Sequence, residues 1–528
     1  MAKGPTSEDR WQSHHRNPSE PAANNGEETQ CSSTHYDLEK LGRQRPEVFV
    51  SAFAEICFCF SLLASMLMAE FFISGFNIIL PTVSDALDIP AGARTWPSSV
   101  FSLVTGSFLL PFGRLADMHG GYIVFVSGLV WFLAWCLISG FSQNYQMLIV
   151  TRALAGLGPA AFLPASIMLL GKTYRPGPRK NIVFGLYGAF APLGFFFGII
   201  IAGVAAEFMT WHWYFFLGTM VLAIVCATSF VTIPRDKGAD SEQAVKMDYL
   251  GLATIVPGLL LVVFAITDGA HAPDGWRTSY IIVTFVLGDF LLATAVYVEG
   301  WVASQPLLPF DLFESRYMTR LIVSLFFAYG AFGVFLLYSS FYIEDVMGLT
   351  PILTAVWFAP MAAGGIVLAT VGGFTMHLLP GSILLIISGL GSLMTMLLFA
   401  FMPEDTSPRT FFAFVLPAMI GATVGVDIAY NVSNVFITTN VPRRRQGVAG
   451  AVINSLIFLG ISFFLGLADI AVAENQSRGL KESYRVAFWF GTACAGVSLL
   501  NFCFIRIGKA KSQLSIEERE ERGHIFAE

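Results

Sequence analysis

Fourteen apolar stretches, each close to the roughly 20 residues a helix needs to cross bilayer hydrocarbon, divide this chain. They run over 57–80, 95–115, 121–140, 146–170, 181–205, 212–233, 249–268, 279–298, 319–343, 352–376, 381–402, 410–437, 447–470 and 485–505. Few charges interrupt them. The 528 residues include 31 Lys and Arg and 37 Asp and Glu, of which 13 lie in residues 1–46 and 10 in residues 506–528. A globule of this size in water could not clothe its surface with what remains. Composition therefore excludes a soluble enzyme, a nucleic-acid binder and a disordered scaffold. In hydrocarbon every backbone N–H and C=O must be paired within its own segment, so the fold class is expected to be an all-α integral membrane protein.

The ends read differently. Residues 1–46 are polar and nearly free of aliphatics, and are expected to be a disordered tail. The first apolar run starts near Val48, too late for a cleavable signal peptide. Counting Lys and Arg in the connections, alternate loops carry twelve and six, which places both termini in the cytoplasm. The last outer loop, with Arg478, Lys481 and Arg485, runs against that bias. It also holds Asn475-Gln476-Ser477, a glycosylation candidate at Asn475, although the loop is short. None of the seven cysteines has metal-ligand spacing. Stretches 1–6 and 9–14 are of similar length, which suggests a repeat: 47–233 as an N-terminal six-helix bundle, 234–318 as loops and a two-helix insert, 319–505 as a C-terminal six-helix bundle, and 506–528 as a second cytoplasmic tail.

Several motifs carry a resemblance. Between stretches 2 and 3 the chain reads Gly113-Arg114-Leu115-Ala116-Asp117-Met118-His119-Gly120-Gly121. Stretch 4 holds Arg152-Ala153-Leu154-Ala155-Gly156-Leu157-Gly158, and stretch 5 holds Ala191-Pro192 followed by Gly194 and Gly198. The first resembles the loop signature of the major facilitator superfamily, with Met118, Gly121 and Tyr122 where basic residues are usual. The second resembles the family's helix-4 motif with Ala155 in place of glutamine, and the third is similar to the proton-antiporter motif in looser form. With fourteen spans, Trp211-His212-Trp213-Tyr214-Phe215-Phe216 and Gln305-Pro306-Leu307-Leu308-Pro309, the chain resembles the fourteen-spanner drug:proton antiporters, with a fungal texture. The resemblance implies gating or packing roles for Gly113, Asp117, Gly120, Gly156, Pro192 and Gly198, and a coupling role for Arg152. The alternative for Arg152 is a side chain snorkelling to the interface.

Polar residues within apolar helices mark candidate sites. Glu70, Ser74 and Asn77 share one helical face in the first stretch. Asp427, Tyr430, Asn431, Asn434 and Thr438 form the densest stripe, in the twelfth. The resemblance nominates stretches 1, 4, 9 and 12 as cavity walls, so both stripes fall where a cavity is implied. Tyr329 and Tyr338 of stretch 9 could stack on a substrate or simply pack. Asp289 is expected to pair within the insert. Glu55, Asp268, Glu344, Asp345 and Asp469 are expected at wetted helix ends, and Asn454 in a helix–helix bond. Because His212, His271 and His377 are scattered, no membrane-embedded catalytic cluster is expected, and neither is a cofactor or metal. The leading expectation is a monomeric, proton-coupled exporter of small amphipathic compounds (drugs, toxins or secondary metabolites) with lipid, substrate and protons as its partners. A transporter of the same fold for a polar nutrient or ion, such as an amino acid or borate, is the alternative. The plasma membrane is the expected location, with the vacuolar membrane as the other choice.

Overall fold

The computed structural model describes residues 44–175, 178–235, 246–375, 378–441 and 443–508. Both expected tails lie almost wholly outside them, as do His377 and the side chains of Thr438 and Arg443 to Arg445. Every expected span is a helix: α1 Ala52–Ala86, α2 Trp96–His119, α3 Gly121–Ser139, α4 Tyr145–Thr173, α5 Pro178–Phe208, α6 His212–Thr232, α7 Tyr249–Gly269, α8 Ser279–Tyr297, α9 Met318–Phe341, α10 Pro351–Thr375, α11 Gly381–Ala400, α12 Leu416–Asn440, α13 Arg443–Glu474 and α14 Leu480–Cys503.

Several helices outrun their apolar stretches, α1, α4, α5 and α13 at both ends. Once a helix is nucleated, each further residue adds a hydrogen bond at little cost, so it continues into water until a cap stops it. Ser51 Oγ accepts the Ala54 N–H at 3.1 Å and starts α1 well before the stretch at 57–80. Asn144 Oδ1 accepts Met147 N–H at 2.8 Å before α4, and Asp248 Oδ1 accepts Gly251 N–H at 2.9 Å before α7.

Five helix pairings in the first six helices recur among the last six, displaced by eight helices: α1 with α5 and α9 with α13, α2 with α4 and α10 with α12, α3 with α4 and α11 with α12, α1 with α6 and α9 with α14, α3 with α6 and α11 with α14. The two six-helix bundles meet along α5–α10 and α2–α13. Helices α7 and α8 pair with each other, and α7 leans on both α2 and α13. Helix α8 fully buries only Ile281, Gly288 and Ala295, a stripe at seven-residue spacing, flanked by half-buried Phe285 and Leu292, with most of its other side chains exposed. Asp289 lies on that outer surface and not against α7, so the expected pairing within the insert is not formed. An even number of alternating spans brings the chain in and out on one face, called terminal below; the opposite face is called distal.

Backbones touch where glycines allow it. A Cβ on Gly194 would run into the Leu67 carbonyl, and one on Gly198 would lie 2.5 Å from the Phe71 carbonyl oxygen, so α5 lies directly on α1. Toward the terminal face this changes: Gly171, Gly185 and Gly188, and likewise Gly447 and Gly450 of α13, have open space where a side chain would go. At these five positions a side chain could be added without displacing a neighbour.

Gly194→Leu should therefore lower stability by about 1–3 kcal/mol or more through overpacking, whereas Gly188→Ala should stay within about 0.5 kcal/mol of the parent. Thermal unfolding of the purified protein in detergent measures both.

Candidate transport site

The two polar stripes, one on each bundle, approach one another between α1 and α12. Glu70 lies halfway along α1 and Asp427 midway along α12, near enough for their charges to interact. Glu70, Asp427, Tyr430, Asn431 and Asn434 each keep part of their surface accessible although helices surround them. Neither carboxylate has a hydrogen-bond partner among the described residues. Asn431 Nδ2 donates to the Asp427 carbonyl at 2.8 Å, which fixes the stripe's backbone. Asp427 Oδ2 faces Gly365 of α10, where a Cβ would lie 3.3 Å from it and 3.0 Å from Pro192 Cβ. Pro192 and Gly365 thus form the α5–α10 seam beside Asp427.

Tyrosines complete the wall. Tyr329 is buried behind the carboxylates, within electrostatic reach of Glu70, Asp427 and Tyr430. Tyr430 also interacts with Asn434 and Asn454. Asn454 Nδ2 donates to the Gly450 carbonyl of its own helix at 2.8 Å, which leaves Oδ1 turned toward the Tyr430 hydroxyl at 3.5 Å. Tyr187 of α5 joins the group, near Glu70 and Tyr430, with its hydroxyl 2.8 Å from Ser166 Oγ. Sequence reasoning missed Tyr187. Its signal was a tyrosine seated among the glycines Gly185 and Gly188, where a hydroxyl needs either a partner or water.

Other candidates lie elsewhere. Ser74 Oγ donates to the Glu70 carbonyl at 2.8 Å and to the Phe195 carbonyl at 3.0 Å, which places it in the α1–α5 seam. Asn77 is buried on the distal side: its Nδ2 donates to Ile73 O at 2.9 Å, its Oδ1 accepts from Ser98 at 2.8 Å, and its carbonyl accepts from Ser340 of α9 at 2.8 Å. Tyr338 is also distal and donates to Asp469 Oδ1 at 3.2 Å. These three side chains bind helices to one another and do not face Glu70.

The distal side is shut by ions. Arg94, before α2, reaches Asp345 Oδ2 at 3.0 Å and Asp85 Oδ1 at 3.2 Å, and Tyr484 donates to Asp345 at 3.0 Å. Asp345 follows α9 and Asp85 belongs to α1, so this cluster joins the two bundles. Two acids expected at wetted ends are instead buried and paired. Glu55 accepts from Arg179 at 2.8 and 2.5 Å and from Tyr174 at 3.0 Å, and Asp469 lies 2.8 Å from His271. Burial makes both pairings necessary.

Arg152 is 1% exposed and sits among α1, α2 and α4. Its guanidinium lies 3.9 Å from the Phe76 ring centroid and 4.4 Å from that of Phe101. Nε donates to Pro97 O at 3.2 Å and Nη1 to Phe72 O at 3.1 Å. Among the described residues no carboxylate is within ion-pair distance. A delocalised, weakly hydrated cation between two ring faces can be held this way, so this arginine is caged rather than snorkelling. Nearby, a Cβ on Gly156 would lie 2.7 Å from the Phe101 carbonyl oxygen, which keeps α4 pressed on α2.

On the terminal face, Gly120 turns the chain at φ 95° between α2 and α3, Gly113 lies against Pro164, and Asp117 is exposed. Arg114 Nη2 donates to Gln305 Oε1 at 2.8 Å and Nε to Lys246 O at 3.1 Å, so the α2–α3 motif holds both ends of the insert. Asn475 lies in the α13–α14 connection and caps it by donating to Ala471 O at 2.9 Å.

Two six-helix bundles with partly exposed acidic, amide and phenolic side chains between them, joined at one face by ion pairs, have the build of a membrane transporter. The description Major Facilitator Superfamily matches residues 62–465. The chain belongs to that superfamily. It is 31% identical over 438 residues to a protein named low affinity ammonium transporter from Saccharomyces cerevisiae, covering 80% of this chain and 84% of that one. It is 26% identical over 504 residues to efflux pump terJ from Aspergillus terreus, covering 94% and 95%. Among solved structures, the peptide transporter POT in complex with sulfate shares the fold at a TM-score of 0.60 and 16% identity, over 88% of this chain and 97% of that one.

Arg152→Lys keeps the charge but loses the planar stacking and one carbonyl bond. It should cost about 2 kcal/mol of stability, and Arg152→Ala should cost more. Unchanged unfolding midpoints in both would contradict the caged cation.

Proposed function

We propose that this protein is a proton-coupled secondary active exporter of small amphipathic organic compounds, working by alternating access. The observation that supports this most is the pair Glu70 and Asp427, two unpartnered carboxylates sharing one accessible chamber with Tyr187, Tyr329 and Tyr430. An ionised carboxylate is costly in a low-dielectric chamber, so a proton and a substrate compete to relieve the same cost. The terminal face is read as cytoplasmic from the loop charges, and the arrangement is then inward-open. Substrate enters from the cytoplasm and displaces a proton; the bundles rock; the distal ion cluster parts; the carboxylates reload from the outer side. Proton entry supplies about 2.3 kcal/mol per charge per 100 mV of membrane potential. Tyrosine faces beside carboxylates suit amphipathic cargo with both apolar and polar parts, and likeness to an efflux pump over nearly the full length agrees with this. The membrane is proposed to be the plasma membrane.

A second reading, uptake or release of a small polar solute or ion, is favoured by the relative named as an ammonium transporter and by the amides of Asn431 and Asn434 in the stripe. Cellular accumulation of a panel of hydrophobic toxins separates the two. With the protein present, accumulation should fall about tenfold, and the difference should vanish when the proton gradient is collapsed or when Glu70→Gln and Asp427→Asn are introduced. Accumulation that is unchanged across the panel would favour the polar solute. Full activity in both variants would remove these carboxylates as proton carriers.

A further inference from the structure

The two-helix insert reaches across the closed distal face. At that end of α7, Phe264 packs on Trp96 of α2 with ring centroids 5.5 Å apart, and Thr267 lies against Gly466 of α13. The α7–α8 connection then places His271 between the bundles. Its ring sits on Gly92, in the turn between α1 and α2, so closely that a Cβ there would lie 2.5 Å from Cγ of the imidazole. Its Nε2 lies 2.8 Å from Asp469 Oδ2 of α13, whose Oδ1 accepts from Tyr338 of α9. One side chain of the insert therefore touches an N-terminal-bundle turn and a C-terminal-bundle carboxylate, next to the cluster of Arg94, Asp345 and Tyr484. A cavity of about 270 Å³ lined by Arg94, Thr95, Tyr338, Asp469 and Tyr484 separates the two sets of contacts.

We propose that the insert is a third component of the distal gate, with His271 a latch that holds Asp469 of α13 to the α1–α2 turn while the distal face is shut. Parting the bundles at this face must either break the His271–Asp469 bond or pull the ring off Gly92. The groups facing the imidazole are Asp469 from α13 with Tyr338 behind it, Arg94 and Thr95 beyond Gly92, and Asp268 on α7, which is itself bound by Tyr280 of α8 at 2.7 Å. The bond to Asp469 raises the His271 pKa above its ordinary value, against the opposing effect of burial. The sign follows. The charged ring favours the latched state, so closure is strongest at pH below the free histidine value of about 6.5. It weakens as pH rises through the higher latched value. The inference goes beyond the exporter reading and does not depend on the cargo.

Nitroxide labels at Asp88 and Arg478, one on each bundle at the distal face, report the opening by electron–electron double resonance in the reconstituted full-length protein with native cysteines replaced. Between about pH 5.5 and about pH 8 the long-distance population of the parent should grow about threefold. In His271→Ala that population should be raised at both pH values, with no further change between them. His271→Gln keeps a neutral hydrogen bond to Asp469 and carries the test should the alanine variant fail to fold; its distances should not respond to pH. A parent that does not respond, or either variant retaining the parent's full response, would overturn the latch.

Discussion

A polar group in hydrocarbon must find a partner, a cage or water, and the architecture of this protein follows from which of the three each group found. Backbone groups are satisfied within fourteen helices. Glu55 found Arg179, Asp469 found His271 and Tyr338, and Asp345 found Arg94 and Tyr484. Arg152 found a cage of two phenylalanine rings and two carbonyls. Glu70 and Asp427 have neither partner nor cage among the described residues and keep part of their surface accessible. The groups with fixed partners hold the bundles in shape, while the two without are the ones the proposed transport cycle uses.

The same division explains how such a bundle can have two states. The α1–α5 seam is backbone against backbone, through Gly194 and Gly198, and belongs to one bundle. It has no reason to open. The contacts that join the bundles on the distal side are mixed. They include ion pairs of partly exposed side chains, such as Arg94 with Asp85 and Asp345, which water can replace at modest cost, beside buried contacts such as Ser340 with the Asn77 carbonyl and Gly203 against Pro351 and Ala355. A structure packed backbone against backbone within each half, with some of its inter-bundle contacts exchangeable ion pairs, is suited to moving as two bodies.

Much of this was legible in the sequence because bilayer thickness imposes a length and helical periodicity imposes a face. Glu70 and the Asp427 stripe could be found that way. Periodicity could not tell that the face shared by Glu70, Ser74 and Asn77 is partly exposed at Glu70 and packed against protein at Ser74 and Asn77. Ser74 meets α5, and Asn77 meets α2 and α9, because the distal half is shut. The partners of Glu55 and Asp469 were hidden for another reason. Arg179 and His271 lie 124 and 198 residues away in sequence, and only the bundle's topology brings them close. Asp289 reads as a partnered insert residue by composition, yet α8 buries so narrow a stripe that Asp289 falls outside it.

The central claim is that Glu70 and Asp427 share one aqueous chamber reached from the terminal face. Cysteine placed at each position in turn, in a background without native cysteines, can be exposed to a charged, membrane-impermeant thiol reagent from either side of a sealed vesicle. The account predicts modification at both positions from the terminal side, each slowed by a bound substrate. Modification only by a lipid-soluble reagent, or at one position and not the other, would contradict it.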